Sequence, residues 1–417
     1  MNNPFKYYLD ERNTTGFIVV KAWLKGGSKL DPPGQRGIHQ LLSALLTRGC
    51  GPYGCNELAD LIEGCGAGLR CETNEDGILI SLKCAADDIY RLLPLIKWMI
   101  TDPHLQEEQI RLEKDLTSQC LIRQKENPFH LAFDGWRSIA FNGGPYGHDP
   151  LGVLEEISTL TKNNLISISH NIRNNQNICV ISGSIPEDIE EFIGQSDILN
   201  IQNIKESSSQ SINTNQLTSS TEYLSNIHKS YEETNQVVMI LGQSCLPHGH
   251  QAELALRLLS MHIGGGMSSK LFQKLREENG VAYDVGLYYP IREMPGPFVI
   301  HASTTEEKAE KTLKLMEDIW WSMSQKELSN EELALSKAKF RGKMAYDFQT
   351  ISQKAARQAY LLALKYNINY DTIALNAIDS IKSQDIIKAA KSHLSKPLLS
   401  LCGSKKVLDK LELRCEK

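Results

Sequence analysis

The sequence lacks an apolar run long enough to cross a membrane, and it lacks a block of Lys and Arg. About 18 consecutive apolar residues would indicate a transmembrane helix, but the best candidate, LLPLIKWMI, is shorter and contains Lys97. Lys and Arg number 45 against 50 Asp and Glu, a formal net charge of −5. The chain therefore lacks an obvious positive surface for nucleic-acid phosphates. We expect a soluble protein that binds neither a membrane nor nucleic acid.

Signals for export and for disulfide formation are also missing. The first residues, MNNPFKYYLDERNTT, contain neither a basic segment followed by an apolar one nor an Arg- and Ser-rich amphipathic stretch. Ten cysteines are present, but no two form a C-x-x-C pair, which is common in redox and zinc motifs. These absences predict a cytoplasmic protein whose cysteines are reduced and mostly buried.

The length and one polar segment indicate two domains. A chain of 417 residues with 41% hydrophobic and 23% charged content suits two folded domains. Residues 201–222 include fifteen Ser, Thr, Asn or Gln, which predicts a flexible polar linker. We therefore predict an N-terminal domain over residues 1–200 and a C-terminal domain over residues 223–417.

The two halves present similar orders of elements. The first half offers the strands GFIVVKAWL, GILISLKC and NICVISGS, with the helices IHQLLSALLTRG and DDIYRLLPLIKWMI between them. The second half offers the strands QVVMILGQ, VAYDVGLYYP, GPFVIHAST and LLSLCGS, with the helices AELALRLLSMHIGGG and EKAEKTLKLMEDIWWSM. Both halves close on an apolar strand followed by Gly-Ser, which indicates an internal duplication. The pattern predicts an α+β fold of two homologous α/β-sandwich domains.

One histidine lies at the start of a predicted amphipathic helix over residues 38–48. The apolar residues of this helix recur at the spacing of one buried face; they are Ile38, Leu41, Leu42, Leu45 and Leu46. His39 lies beside this stripe and follows the Gly- and Pro-rich loop GGSKLDPPGQRG. Its position alone fits either a hydrogen-bonded structural histidine or a functional one.

Two other local patterns do not amount to a site on their own. Gly264, Gly265 and Gly266 precede Ser-Ser-Lys but miss the G-x-x-x-x-G-K-[ST] spacing of a phosphate-binding loop. We expect them to let a helix end approach a neighbouring strand or to admit substrate backbone. His248 and His250 could bind a metal together, but an exposed loop is the simpler interpretation.

Five longer motifs are spread over the chain. They are GGS-x8-GIHQLLSALLTRG, GAGLRCETNEDG, ENPF, PYGHDPLG and IGGGMSSKLFQKLREENGVAYDV. Together they resemble the pitrilysin/insulinase-like metallopeptidases, and within that family the small two-chain branch that includes mitochondrial processing peptidase. The resemblance implies the processing-peptidase-like (metallohydrolase) fold in both halves.

Active members of this family carry an H-x-x-E-H motif on the helix that contains His39 here. Its two histidines bind zinc, and its glutamate activates the attacking water. The five residues read HQLLS in this chain, so Leu42 replaces the glutamate and Ser43 replaces the second histidine. The third ligand, a glutamate in the family, would fall at Gln119 or Cys120. The resemblance implies a degenerate site that holds no metal and has no catalytic residue.

The second half retains another family feature. Active complexes use an Arg and a Tyr, seven residues apart, to position the substrate backbone, and these correspond to Arg276 and Tyr283. A guanidinium and a phenol both donate well to a peptide carbonyl. Residues 71–77, CETNEDG, match the edge strand that pairs with extended substrate in the family. Arg70 and Cys71 stand where active members have Asn and Ala, which weakens that strand's predicted role.

These features together predict a non-catalytic, substrate-positioning subunit of a heteromeric zinc metallopeptidase. The expected partner is a homologous chain that carries H-x-x-E-H and the zinc, and the expected substrates are unstructured peptides. One alternative is a stand-alone binding or scaffold protein derived from an inactive peptidase, and another is an active homodimer with a metal site built from other residues. The presence of Arg276 and Tyr283 favours the subunit, because a scaffold has no use for them.

Overall fold

The computed structural model describes residues 5–195 and 225–413. It contains two five-stranded sheets, each covered by helices. The predicted linker at 201–222 lies outside the described residues, so the domain limits at 200 and 223 stay a prediction. None of the helices in the two described ranges is both long and apolar enough to span a bilayer.

The first sheet consists of β1 (Phe5–Glu11), β2 (Phe17–Lys25), β3 (Gly68–Thr73), β4 (Gly77–Ala85) and β5 (Asn177–Gly183). Its strand order is β1-β5-β2-β4-β3. Strand β1 pairs in parallel with β5, whereas the other neighbours pair antiparallel. The inner strands β2 and β5 are buried along nearly their whole length, as their continuous apolar runs predict. Strand β3 forms an edge.

The second sheet consists of β6 (Ile227–Tyr231), β7 (Gln236–Ser244), β8 (Ala282–Tyr288), β9 (Pro297–Thr305) and β10 (Leu398–Gly403). Its order, β6-β10-β7-β9-β8, repeats that of the first sheet strand for strand. Strands β6 and β10 pair in parallel, as β1 and β5 do in the first sheet. This shared topology confirms the internal duplication predicted from the sequence, and it leaves β8 at an edge.

The helices cover both faces of each sheet. They are α1 (Ile38–Leu46), α2 (Cys55–Gly64), α3 (Ile89–Thr101), α4 (Glu107–Lys125), α5 (Pro128–Phe141), α6 (Leu154–Thr159), α7 (Lys162–Asn174), α8 (Ile189–Gln195), α9 (Glu253–Gly264), α10 (Ala309–Gln325), α11 (Asn330–Asp347), α12 (Ile351–Ala363), α13 (Tyr370–Ala377), α14 (Ser383–His393) and α15 (Lys405–Leu408). A π-helical segment, Phe272–Glu278, precedes β8. The helices and strands expected from the sequence agree with these bounds to within a few residues.

The chain forms two compact units, and each unit includes a helix from the other half of the sequence. Among the described residues, the first unit comprises 5–122, 149–195 and 347–370, and the second comprises 123–148, 225–346 and 371–413. Helix α5 therefore packs on the second sheet and α12 on the first. A division of the sequence into two halves assigns each helix to its own half and therefore misses this exchange.

Small residues let the two exchanged helices lie close to the strands. In α12, Ala355 and Ala359 are fully buried against a cluster of Trp23, Ile178 and Val180. Helix α12 thus covers one face of the first sheet, and the larger core of that unit lies on the other face.

Helix α5 covers one face of the second sheet in the same way. A Cβ atom on Gly135 would lie 2.2 Å from Nδ1 of His228 on β6, so only glycine permits this approach. Nearby, Trp136 is fully buried, and its indole Nε1 donates to the carbonyl of Gly242 at 3.3 Å. The main core of the second unit lies on the opposite face.

Candidate functional site

The loop before α1 holds His39 through one carboxylate. Asp31 accepts a hydrogen bond from the backbone N–H of Gly37 at 2.6 Å and one from the N–H of His39 at 3.3 Å. The same carboxylate lies 2.6 Å from Nδ1 of the His39 ring, which is only 3% exposed. Gly37 begins the helix with a φ of 100°, where a side chain would be strained. Asp31 therefore both caps the helix and fixes the imidazole.

The residues that follow His39 do not supply further metal donors. Leu42 is 1% exposed and belongs to the main core of the first unit. Ser43 is equally buried, and its hydroxyl has no nitrogen or oxygen partner; it lies beside the thiol of Cys71. Burial raises the pKa of that thiol, and the Ser43 hydroxyl opposes the rise only in part.

The position expected for the third zinc ligand is also unsuited to binding zinc. Gln119 and Cys120 are exposed on α4. Across residues 5–195 and 225–413, no three His, Cys, Asp or Glu side chains converge closely enough to hold a metal ion. A catalytic zinc needs three protein ligands and a water. The side chains around His39 therefore do not fit the zinc that active members of the family bind.

The predicted substrate strand at residues 71–77 divides into a strand end and a turn. Strand β3 ends at Thr73, and β4 begins at Gly77. In the turn, the Asn74 side chain accepts hydrogen bonds from the N–H groups of Asp76 and Gly77 at 2.9 and 3.0 Å. Thr73 in turn donates to the carbonyl of His39 at 3.2 Å. The edge strand is thus connected directly to the start of α1.

The structure brings Arg276 and Tyr283 together at the edge of the second sheet. Arg276 lies in the π-helical segment, and its Nη1 donates to the backbone carbonyl of Tyr283 at 3.4 Å. Its guanidinium also stacks over the Phe272 ring, 4.9 Å from the centroid. Tyr283 is 50% exposed, and the pairing of β8 with β9 shifts register at this residue. Such a bulge re-aims a side chain away from the regular strand, so both groups face solvent at one edge.

The glycines before this segment serve helix packing. A Cβ on Gly264 would lie 2.3 Å from Cβ of Leu287 in β8. The end of α9 can therefore approach that strand only because the residue is glycine, as the sequence indicated. Gly266 follows with a φ of 77°, where the chain turns towards the π-helical segment.

His248 is buried and His250 is half-buried, where an exposed loop was expected. His248 is 3% exposed, and its Nδ1 lies 3.0 Å from both carboxylate oxygens of Glu253. His250 instead accepts a hydrogen bond from the N–H of Ala252. Because the two rings have different partners, they do not form the metal pair that the sequence left open.

Glu253 is the centre of a buried ionic network that sequence reasoning missed. Arg257, one helical turn later, donates to this carboxylate at 2.9 Å and also to the carbonyls of Tyr289 and Pro290. Burial opposes the Glu253 charge, but His248 and Arg257 outweigh it and lower the pKa of Glu253 to about 2. The only sequence signal was a Glu and an Arg four residues apart, which usually lie on a solvated face.

Both halves of the chain match models of one peptidase family. Residues 7–152 match the model described as Insulinase (Peptidase family M16), and residues 169–340 match the one described as Peptidase M16 inactive domain. Together the two matches cover most of the sequence. The chain belongs to the insulinase-like peptidase family M16, which confirms the resemblance drawn from its motifs.

Similar proteins occur in bacteria of different genera. An uncharacterized zinc protease of Rickettsia felis is 24% identical over 382 residues, which cover 91% of this chain and 90% of the relative. An uncharacterized zinc protease of Bacillus subtilis is 21% identical over 360 residues, which cover 85% of each chain. The similarity therefore extends over nearly the whole length of both proteins.

Solved structures show the same fold. A peptidase M16 inactive domain from Pseudomonas fluorescens superposes with a TM-score of 0.83 at 20% identity, over 98% of this chain and 96% of that one. A protease from Helicobacter pylori gives 0.82 at 17% identity, over 96% and 98%. A chain of complex III2 from Candida albicans gives 0.77 at 16% identity, over 98% and 96%. These likenesses confirm the predicted α+β fold.

Proposed function

We propose that this chain is the non-catalytic, substrate-positioning subunit of a heteromeric zinc metallopeptidase that acts on unstructured peptides. The partner would be a homologous chain with an intact H-x-x-E-H motif, which supplies zinc and the general base. This chain would contribute no catalytic residue and no metal ligand. We place the complex in the cytoplasm.

The observation that carries the proposal is the environment of His39. The imidazole is bound to Asp31 on one side, while the core residue Leu42 and the buried Ser43 occupy the positions of the base and the second ligand. Because α1 contains no Asp or Glu, the helix has no carboxylate at the position of the base that activates water. Any peptidase activity in which the chain takes part would then need zinc from elsewhere.

The substrate-binding part of the proposal rests on the exposed edge of the second sheet. Arg276 and the hydroxyl of Tyr283 provide donors for a peptide carbonyl. The bulge keeps Tyr283 half exposed. Strand β8 lies at an edge of its sheet, where an extended peptide could pair with it by backbone hydrogen bonds. A protein that bound no peptide would gain nothing from this arrangement.

The second candidate is a scaffold role. The observation that favours it is the shared fold with a chain of complex III2 from Candida albicans, since that chain belongs to a larger assembly. The same lack of metal donors near His39 fits a scaffold. The two roles differ in what they require of Arg276 and Tyr283, which only the peptidase subunit would use.

Affinity isolation from the native cell, followed by mixing of purified chains, tests the proposal. We expect a homologous chain of similar size, with H-x-x-E-H, to be recovered with this one. Mixing the two should produce chelator-sensitive cleavage of an unstructured peptide well above that of either chain alone. If the candidate partners elute separately at micromolar concentration and their activity is unchanged by this chain, the subunit role is wrong.

A further inference from the structure

A pocket opens beside Tyr283 in the second unit. Its volume is about 380 Å³, and it lies where β8 and β9 meet the start of α5. Besides Tyr283, the lining residues that matter for its chemistry are Asn127, Phe129, Asp284, His301 and Ser303. The size suits one long side chain, and the position places that side chain next to the proposed peptide-binding edge.

The pocket carries one full charge, which is negative. The Asp284 side chain is 62% exposed, and its carboxylate lies 3.7 Å from Nδ1 of His301. Burial lowers the pKa of His301, so its imidazole is uncharged at neutral pH and does not neutralise Asp284. Within the part of the chain that the structure describes, no Lys or Arg side chain lines the pocket.

The other walls of the pocket suit a side chain that has an apolar stem and a hydrogen-bonding end. The Phe129 ring forms one wall, edge-on to the His301 ring at 5.0 Å between centroids. The Ser303 hydroxyl adds a further possible acceptor. Long basic side chains pack their methylene groups on apolar surface and keep their charge at a polar end, and aromatic faces also attract cations.

We propose that this pocket binds a Lys or Arg side chain of the peptide and that Asp284 determines this preference. The inference rests on the proposed function, because it assigns the pocket to the peptide that Arg276 and Tyr283 would position. Tyr283 lines the pocket, and Asp284 follows it in the strand. Two neighbouring residues of a peptide that lies along β8 would therefore contact Tyr283 and Asp284.

Fluorescence anisotropy with the purified full-length chain tests this preference without the partner. One probe is a short labelled unstructured peptide with a single Arg, and the other carries citrulline in its place, which has the same shape without the charge. We expect the Arg peptide to bind about fivefold more tightly, as for a partly exposed ion pair. Asp284→Asn should abolish the difference, whereas the matched control Asp318→Asn, at an exposed position of α10, should retain it.

A charge reversal provides an independent measurement. Asp284→Lys should bind a peptide with Glu at the same position more tightly than the Arg peptide, and circular dichroism should show an unchanged fold. Equal binding of the Arg and citrulline peptides by the unmodified chain, or a preference that survives Asp284→Asn, overturns the pocket assignment and leaves the proposed function standing. If no peptide binds either the chain or its mixture with the partner, the proposed function fails and the pocket assignment fails with it.

Discussion

Leu42 and Ser43 determine what helix α1 can do, because an aliphatic side chain and a hydroxyl replace a carboxylate and an imidazole. The contact between Asp31 and His39 is of the kind that orients zinc-binding histidines. Within the described residues, however, this ring belongs to no group of three side chains that could hold a metal ion. The histidine is thus better described as part of a helix cap. The side chains of Leu42, Ser43 and Gln119 or Cys120 are what depart from the zinc-binding pattern of the family.

Arg276 and Tyr283 should act on substrate in the mixed complex. A hydrogen bond from a charged donor contributes about 1.5 to 3 kcal/mol, so Arg276→Ala should lower kcat/KM roughly ten- to a hundredfold. Tyr283→Phe should lower kcat/KM by less. If the phenol contacts a developing oxyanion, the variant should instead show a lower kcat. Steady-state kinetics of the variants, with assembly checked by gel filtration, measures both effects.

A cation from the same segment provides the control for Arg276. Lys274 pairs with Glu278 and is exposed, so Lys274→Ala should leave kcat/KM unchanged. Neither Arg276→Ala nor Tyr283→Phe should alter thermal stability or the zinc content of the partner. Unchanged kcat/KM in the double variant would assign the pair to packing and favour the scaffold role.

Glu253 should contribute stability that depends on pH. Its pKa falls from an ordinary 4.5 to about 2 on folding, so between these values the unfolded chain binds more protons than the folded one. Stability from this group is therefore fully present above pH 4.5 and is lost as the pH falls towards 2. Glu253→Gln should lower the free energy of unfolding by about 3 kcal/mol at pH 7, and by less in acid.

Urea unfolding at a series of pH values measures this difference. Glu310→Gln, at an exposed position of α10, is the control and should change the free energy of unfolding by less than about 0.5 kcal/mol. A Glu253→Gln penalty that stays constant between pH 7 and pH 3 would contradict the assigned ion pairs with His248 and Arg257.

At the scale of elements, the local pattern predicted the central strands but not β1 and β6, and β3 was expected only from the family resemblance of residues 71–77. Strands β2, β5, β7 and β10 are continuous apolar runs because both of their faces are covered. The strands β1, β3 and β6 are short and half polar. Strands β1 and β6 pair with β5 and β10, which are distant in sequence, so local patterns do not reveal their pairing. The family resemblance named Arg276 and Tyr283, but it did not reveal the bulge that exposes Tyr283, because the bulge depends on the register of β8 against β9.

The packing of α12 on the first sheet should be sensitive to side-chain size. Ala359 is fully buried against Trp23 and its neighbours, so Ala359→Leu should overpack the contact and lower the free energy of unfolding by about 1–3 kcal/mol. Ala345→Leu is the control, because it makes the same substitution at an exposed position of α11. Thermal unfolding of both variants should show a lower Tm only for the first.

Considered as a whole molecule, the chain is a duplicated fold whose units are not contiguous in sequence. Each sheet needs a helix from the other half to cover one of its faces, and that helix follows a long exposed one in both cases: α4 before α5 and α11 before α12. The polar segment at residues 201–222 predicts a boundary between the two halves of the sequence. It does not mark which residues share a core, and this is why the unit composition could not be read from the linker.

The purified chain should bind no stoichiometric zinc and cleave no peptide by itself. Two of the three groups that zinc chemistry needs on α1 are replaced by Leu42 and Ser43, and Gln119 and Cys120 offer no carboxylate. Elemental analysis after gel filtration, together with a peptidase assay, measures this. One tightly held zinc per chain with chelator-sensitive cleavage would contradict it and would favour an active homodimer. A homologue with H-x-x-E-H, purified in parallel, provides the positive control.

Restoring the motif in part should not restore activity. In Leu42→Glu with Ser43→His, the first two ligands and the base would be present, but the third ligand would still be missing, and zinc with two protein ligands makes a poor catalytic site. The new glutamate would also replace a side chain that is 1% exposed, and a buried unpaired carboxylate is costly. We therefore expect a less stable chain, by thermal unfolding, that remains inactive with added zinc. Zinc-dependent cleavage by this variant would show that a third donor exists and that the chain lost its activity through α1 alone.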